Sequence, residues 1–290
     1  MKVKKIFNLI WNEFVYGGHL LSLGFSGVIL SIIILLDIKI DWVILIIAYL
    51  LSQIGYNYNH FKEIESDLKS NPERSQYLQK AKKYTLFIFF LYIITFIFLL
   101  FYFYNFQFIL FILFFLLIEA LYTIFFKKLT KKFVGFKNFY VSMCWSFGGA
   151  FLVIFYYHIS FNTSLLFISL FTLLRLIMDT VFFDFKDTEE DKKNNLLTLP
   201  IRFGKGETLR FLHILNVFSS LFLIFGIFLK IIPFYFMGLV IFVYFYSFYY
   251  LKKAEKGLIS EYFRKICYII VDGQYILWPI TIFLGRALII

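Results

Sequence analysis

Charge is what this chain has least of. Asp, Glu, Lys and Arg together make 16% of its 290 residues, where a water-soluble domain carries about 25%. Hydrophobic residues fill 61% and the mean hydropathy is +0.81, which excludes a soluble globular domain. A polar stretch long enough to close a second core is also missing, so residues 1–290 read as a single integral membrane domain. Cysteine is scarce. Cys144 and Cys267 both lie in apolar runs, so a disulfide or a thiolate metal site is excluded and two free buried thiols are expected. The first apolar run follows Trp11, Asn12 and Glu13 and is long enough to stay in a bilayer, so no cleavable signal is read.

What is present is a succession of apolar runs, each about the 20 residues a helix needs to cross the hydrocarbon. Continuous runs of this kind are helices, because a helix satisfies every backbone group internally. The reading is all-α and polytopic, with nine transmembrane helices near 20–36, 42–58, 84–104, 106–126, 139–157, 164–183, 209–229, 231–251 and 266–285. The long run 84–126 breaks at Tyr104-Asn105, and 209–251 breaks at Lys230 and Pro233.

Nine crossings put the N-terminus and every second loop on one side. That side holds 25 of the 29 Lys and Arg, the other only Lys39, Lys230 and Arg286. The bias places the N-terminus in the cytoplasm and the C-terminus on the far side. The formal charge of +11 thus records topology, and a nucleic-acid partner is not required.

The acids are distributed differently. Ten of the 18 Asp and Glu sit in two cytoplasmic loops and their helix ends. The first cluster runs Asn59-His60-Phe61-Lys62-Glu63-Ile64-Glu65-Ser66-Asp67, and residues 59, 63 and 67 form one helical stripe. The second runs from Asp184 through Asp187 to Asp191, again on one face. Because the clusters recur four helices apart, two four-helix units plus a ninth helix are expected. Facing acid stripes need a cation between them, and hard oxygen ligands beside phosphate are what Mg²⁺ prefers. Metal, Lys and Arg next to an apolar interior is an arrangement that holds a diphosphate on a greasy tail.

These residues resemble the UbiA superfamily of intramembrane prenyltransferases. Its first motif, Asn-Asp-x-x-Asp-x-x-x-Asp, is similar to Asn59-His60-x-x-Glu63-x-x-x-Asp67, followed by Asn71-Pro72-Glu73-Arg74. Its second, Asp-x-x-Asp-x-x-x-Asp leading to Thr-Leu-Pro and a Gly, matches Asp184, Asp187 and Asp191 with Thr198-Leu199-Pro200 and Gly204. Tyr122-Thr123 with Lys127, Lys128 and Lys137-Asn138 resembles the family's Tyr-Ser and basic loop. Two departures stand out: His60 and Glu63 replace Asp, and Asn194-Asn195 stands where many members have a Gly.

The resemblance implies helices around a central cavity that opens toward the cytoplasm, with a prenyl diphosphate donor, an aromatic or lipid acceptor and surrounding membrane lipids as partners. It implies Mg²⁺ held by Asn59, Glu63, Asp67, Asp184 and Asp187, and diphosphate neutralised by Arg74, Lys128 and Lys137. Tyr122 would donate a hydrogen bond near the leaving oxygen, with Asp187 and Asp191 completing the catalytic set. The competing readings are a UbiA-type terpene cyclase, which ionises the same donor without an acceptor, and a membrane transporter or lipid-binding protein. Of the remaining polar residues, Arg175 and Asp179 read as an i, i+4 ion pair, Glu119 as orienting Tyr122, His19 as an interfacial histidine, and Asp272 as bordering the cavity. Gly24-Phe25-Ser26-Gly27 reads as close helix packing.

Overall fold

The computed structural model describes residues 2–64, 68, 71–103, 106–124, 126–255, 257 and 261–288; side chains at 2–6, 9, 62, 63, 103, 119, 120, 122–124, 127 and 128 are outside the description. Its elements are α1 (Lys2–Tyr16), α2 (His19–Leu35), α3 (Trp42–Glu63), α4 (Pro72–Phe103), α5 (Phe106–Ile124), α6 (Phe136–Tyr157), α7 (Thr163–Lys193), α8 (Leu199–Phe228), α9 (Met237–Glu255), α10 (Glu261–Lys265) and α11 (Asp272–Ala287). A π-helical stretch, Ile266–Val271, joins α10 to α11. Among the described residues there is no strand.

A long helix lies at each of the nine expected stretches, yet the count of nine crossings is not reached on length and composition. Six helices are long and apolar enough, seven if the end of α1 and α2, bent by 60° at Gly17-Gly18, form one broken span. The second half of α3 is polar, and α5 is apolar over the short length Phe106–Ile118. Helix packing does not by itself separate two four-helix units, since α2 lies against α1, α3, α6, α7 and α11.

The ends of the helices depart from the apolar runs in one consistent way. α4 begins at Pro72 rather than 84, α7 continues to Lys193 rather than ending at 183, and α8 begins at Leu199 rather than 209. Hydropathy marks the hydrocarbon, whereas backbone hydrogen bonding carries a helix beyond it. The polar extensions all lie at the same end of the bundle and carry the motif residues. At the other end, Asp41 caps α3 by accepting from Val43 N at 3.0 Å, and Asn162 caps α7 by accepting from Leu165 N at 2.9 Å.

Small residues set the closest approach. A Cβ on Gly27 would stand 2.2 Å from the carbonyl oxygen of Tyr275, and one on Gly24 3.1 Å from that of Asp272. The Gly-Phe-Ser-Gly stretch thus presses α2 onto α11, as expected. Asn195, the second residue of the Asn194-Asn195 pair, has φ +54°, and Gly204 breaks α8 with φ +79° and ψ 168°. Asn tolerates the first conformation and Gly is needed for the second.

Candidate active site

The two motif regions meet. Asn71, at the start of α4, donates from Nδ2 to Asp187 Oδ1 on α7 at 3.3 Å, across 116 positions of sequence. Lys186 holds the other Asp187 oxygen at 2.8 Å. One helical turn before Asp187, Asp184 is 1% exposed; Asn138 Nδ2 donates to it at 2.8 Å and Lys137 Nζ lies 3.7 Å away. Asp191 is also buried, and its carbonyl accepts from Leu196 N at 2.9 Å, closing the turn after α7.

Arg74 is buried one turn after Asn71. Its Nη1 lies 3.2 Å from His60 Nε2 and 3.5 Å from Tyr56 Oη, and its guanidinium sits over the Tyr268 ring at 5.6 Å. Tyr268 in turn donates to Asn71 Oδ1, so the π-helical stretch, α4 and α7 are tied in one chain of hydrogen bonds. A bidentate pair fixes this corner, with Arg264 Nε and Nη2 donating to Glu73 at 2.8 and 2.5 Å. π-helical turns are rare and recur at functional sites.

Of the residues expected to act, Asp184, Asp187, Asp191, Arg74 and Lys137 lie in this buried polar layer. Asn59 is exposed and makes no hydrogen bond to the layer among the described residues; its neighbour His60 is the residue that meets Arg74. The side chains of Glu63, Tyr122 and Lys128, and the whole of Asp67, fall outside the described residues, as does the Glu119 side chain. Asn71, Asn138, Lys186, His60 and Tyr268 were not expected as site members. The Asn71-Pro72 and Lys137-Asn138 dipeptides were visible signals, whereas nothing local marks Tyr268.

Two other expectations change. Arg175 and Asp179 are not paired: no contact within ion-pair distance joins them. Arg175 instead donates to Asn216 at 2.7 Å, to Ser219 at 3.3 Å, to the Val243 carbonyl at 3.2 Å and to Ser247. Asp179 accepts from Tyr250 at 2.9 Å, Gln274 at 2.7 Å and Tyr275. α8 and α9 offer the guanidinium more acceptors than one carboxylate has, so each buried charge takes its hydrogen bonds from a different set of helices, with Arg175 Nε left without a partner among the described residues. His19 is more than interfacial, since it bridges Tyr49 Oη at 2.5 Å and Glu13 at 3.4 Å. Neither cysteine is in a disulfide, and Cys267 is buried and Cys144 half-buried.

Hard oxygen donors of the kind Mg²⁺ takes are present on α7 at Asp184 and Asp187, one turn apart. Among the described residues no three His, Cys, Asp or Glu are grouped to hold a metal ion. The α7 pair fits half of an oxygen site, with Lys137 and Lys186 balancing its charge.

A model of the UbiA prenyltransferase family matches residues 20–269. The chain belongs to the UbiA prenyltransferase family. No curated relative matches the sequence. Among solved structures, one described as digeranylgeranylglyceryl phosphate synthase in membranes is similar at 20% identity and a TM-score of 0.55, covering 96% of this chain and 98% of that one. That likeness shows a shared fold over the whole length. The UbiA-family chain is therefore an integral, multi-pass membrane protein of the prenyltransferase class, and its buried polar layer lies where the second acidic motif meets Asn71 and Arg74 at the start of α4.

Proposed function

We propose that this UbiA-family protein transfers an isoprenyl group from a prenyl diphosphate to an aromatic or lipid acceptor, within the membrane and from its cytoplasmic side. The observation that carries the reading is the Asn71–Asp187 contact beneath Arg74. It draws the start of α4, the segment just after the first acidic motif, against the second motif on α7, with cations interleaved, above an apolar interior. The carboxylates and cations neutralise one another; an arriving diphosphate would take Arg74, Lys137 and Lys186, freeing Asp184 and Asp187.

Mg²⁺ would be held by Asp184 and Asp187 together with Glu63, Asp67 and Asn59 of the first motif, and when bound it supplies charge stabilisation for the departing pyrophosphate. Arg74 grips the diphosphate while the Tyr268 ring and His60 fix its guanidinium. Asn71 and Asn138 hold the two α7 carboxylates in place. The helices around the layer exclude the water that would otherwise trap an allylic cation.

The test is product analysis by mass spectrometry, with allylic diphosphates of ~10 to ~50 carbons offered against a membrane-lipid extract and against phenols. Prenylated acceptor formed with Mg²⁺ and lost with chelator is the expected outcome. A cyclic hydrocarbon formed without acceptor would replace transfer by cyclisation. Uptake without consumption of the donor would replace both by transport.

A further inference from the structure

Two carboxylates lie deeper in the bundle than the Asp187 layer, and they are treated very differently. Asp179 is saturated by the Tyr250, Gln274 and Tyr275 donors. Asp272, at the start of α11, receives no hydrogen bond and no ion pair among the described residues, although Arg74 and Lys186 act on it as the facing cations and Asp179 as the facing like charge. A carboxylate left unsatisfied inside a membrane protein is expensive unless it has a task.

Its position suggests one. Tyr268 and Asp272 are four residues apart and follow one another down the same helix, and Tyr268 holds Arg74 over its ring and Asn71 through its hydroxyl. Asp272 thus stands about one turn further into the bundle than Tyr268, next to the residues that would hold the diphosphate on the reading above. Val271 and Gln274 are fully buried, yet Asp272 and Gly273 are half-buried. A Cβ built on Gly273 would meet only Leu20, at 3.9 Å, so the helix is loosely packed at the residue next to Asp272. The packing of Gly24 against the Asp272 carbonyl fixes its backbone.

Resting on the prenyl-transfer reading above, we infer that Asp272 is a catalytic base, the group that takes the proton the acceptor must lose. In the step, an acceptor oxygen or ring carbon bonds to the first donor carbon. The carbon–oxygen bond to diphosphate breaks, and pyrophosphate leaves with that electron pair. The acceptor's O–H or C–H proton passes to the Asp272 carboxylate. Charge and atoms balance for an alcohol and for a phenol ring alike.

The experiment uses the full chain in lipid nanodiscs as wild type, Asp272→Asn and Asp272→Glu, with allylic diphosphates of ~10 to ~50 carbons and, in separate arms, a phenol and a glycerol-based lipid alcohol. Donor binding and prenylated product are both measured. Asp272→Asn should bind donor as wild type does while product formation falls about 100-fold or more, the usual range for a lost base, and Asp272→Glu should recover part of it. Product formation unchanged in Asp272→Asn overturns the assignment, as does parallel loss of donor binding in a variant whose melting shows it folded. Should Asp272→Asn not fold, Asp272→Glu decides: an unaltered product rate at unaltered donor affinity overturns it. A wild type that binds donor and prenylates neither acceptor overturns the transfer reading, and the base with it.

Discussion

Asn71 donates one hydrogen bond to Asp187 and accepts another from Tyr268, joining residues 116 and 197 positions away from it. A side chain that orients a carboxylate in this way usually matters almost as much as the carboxylate, because the ligand's direction depends on it. Asn71→Ala is expected to lower kcat/KM for the donor about 10- to 100-fold with little loss of folded protein, measured as product against donor concentration at saturating Mg²⁺. The α7 carboxylates are legible in the sequence itself, since residues 184, 187 and 191 share a face on any helix. Asn71 is visible there as part of an Asn-Pro-Glu-Arg run, but its target is not. Tyr268 is invisible: an aromatic in a chain with 21 Tyr and 43 Phe carries no signal until a fold turns it toward a partner.

At the scale of elements, the α2–α11 contact is the one that steric arithmetic decides. Gly27→Leu would drive a side chain into the Tyr275 backbone, where even a Cβ would be 2.2 Å from the carbonyl oxygen. The helices must separate, and overpacking of this kind costs about 1–3 kcal/mol or more. The expected result is a lower melting temperature in detergent, together with weaker transfer, because the same displacement moves Asp272 and Tyr275. A wild-type melting curve for Gly27→Leu would show that the contact is slack. The expected helix positions were readable from hydropathy, and so was the role of this glycine pair. The extended ends of α4, α7 and α8 were not, because a hydropathy window reports where hydrocarbon is suited and is blind to where hydrogen bonding stops.

At the scale of the whole molecule, the buried polar layer and the basic loops occupy one end of the bundle. The opposite end is tied by Tyr157 donating to the Lys39 carbonyl at 2.9 Å and Tyr156 to Asp41 at 2.6 Å. The positive-inside bias predicts that the site end faces the cytoplasm. Single cysteines introduced by Lys132→Cys or Lys193→Cys should therefore react with an impermeant thiol reagent only from the cytoplasmic side, and one introduced by Lys230→Cys only from the other. All three parent lysines are exposed. The reverse labelling pattern would invert the topology and move the diphosphate site to the far face.

Local order along the chain was sufficient for the membrane class, the helical stretches and the acidic stripe of α7, because each of these rests on residues within a few turns of one another. Pairing was decided by the tertiary structure. Arg175 and Asp179 have the i, i+4 spacing of an ion pair, yet each takes its hydrogen bonds from hydroxyls, amides and carbonyls of other helices. Asp272, with the same chemistry as Asp179, is left open. In a low-dielectric interior a buried charge is held by whichever donors the packing brings within about 3 Å, and sequence spacing does not specify which helices those are.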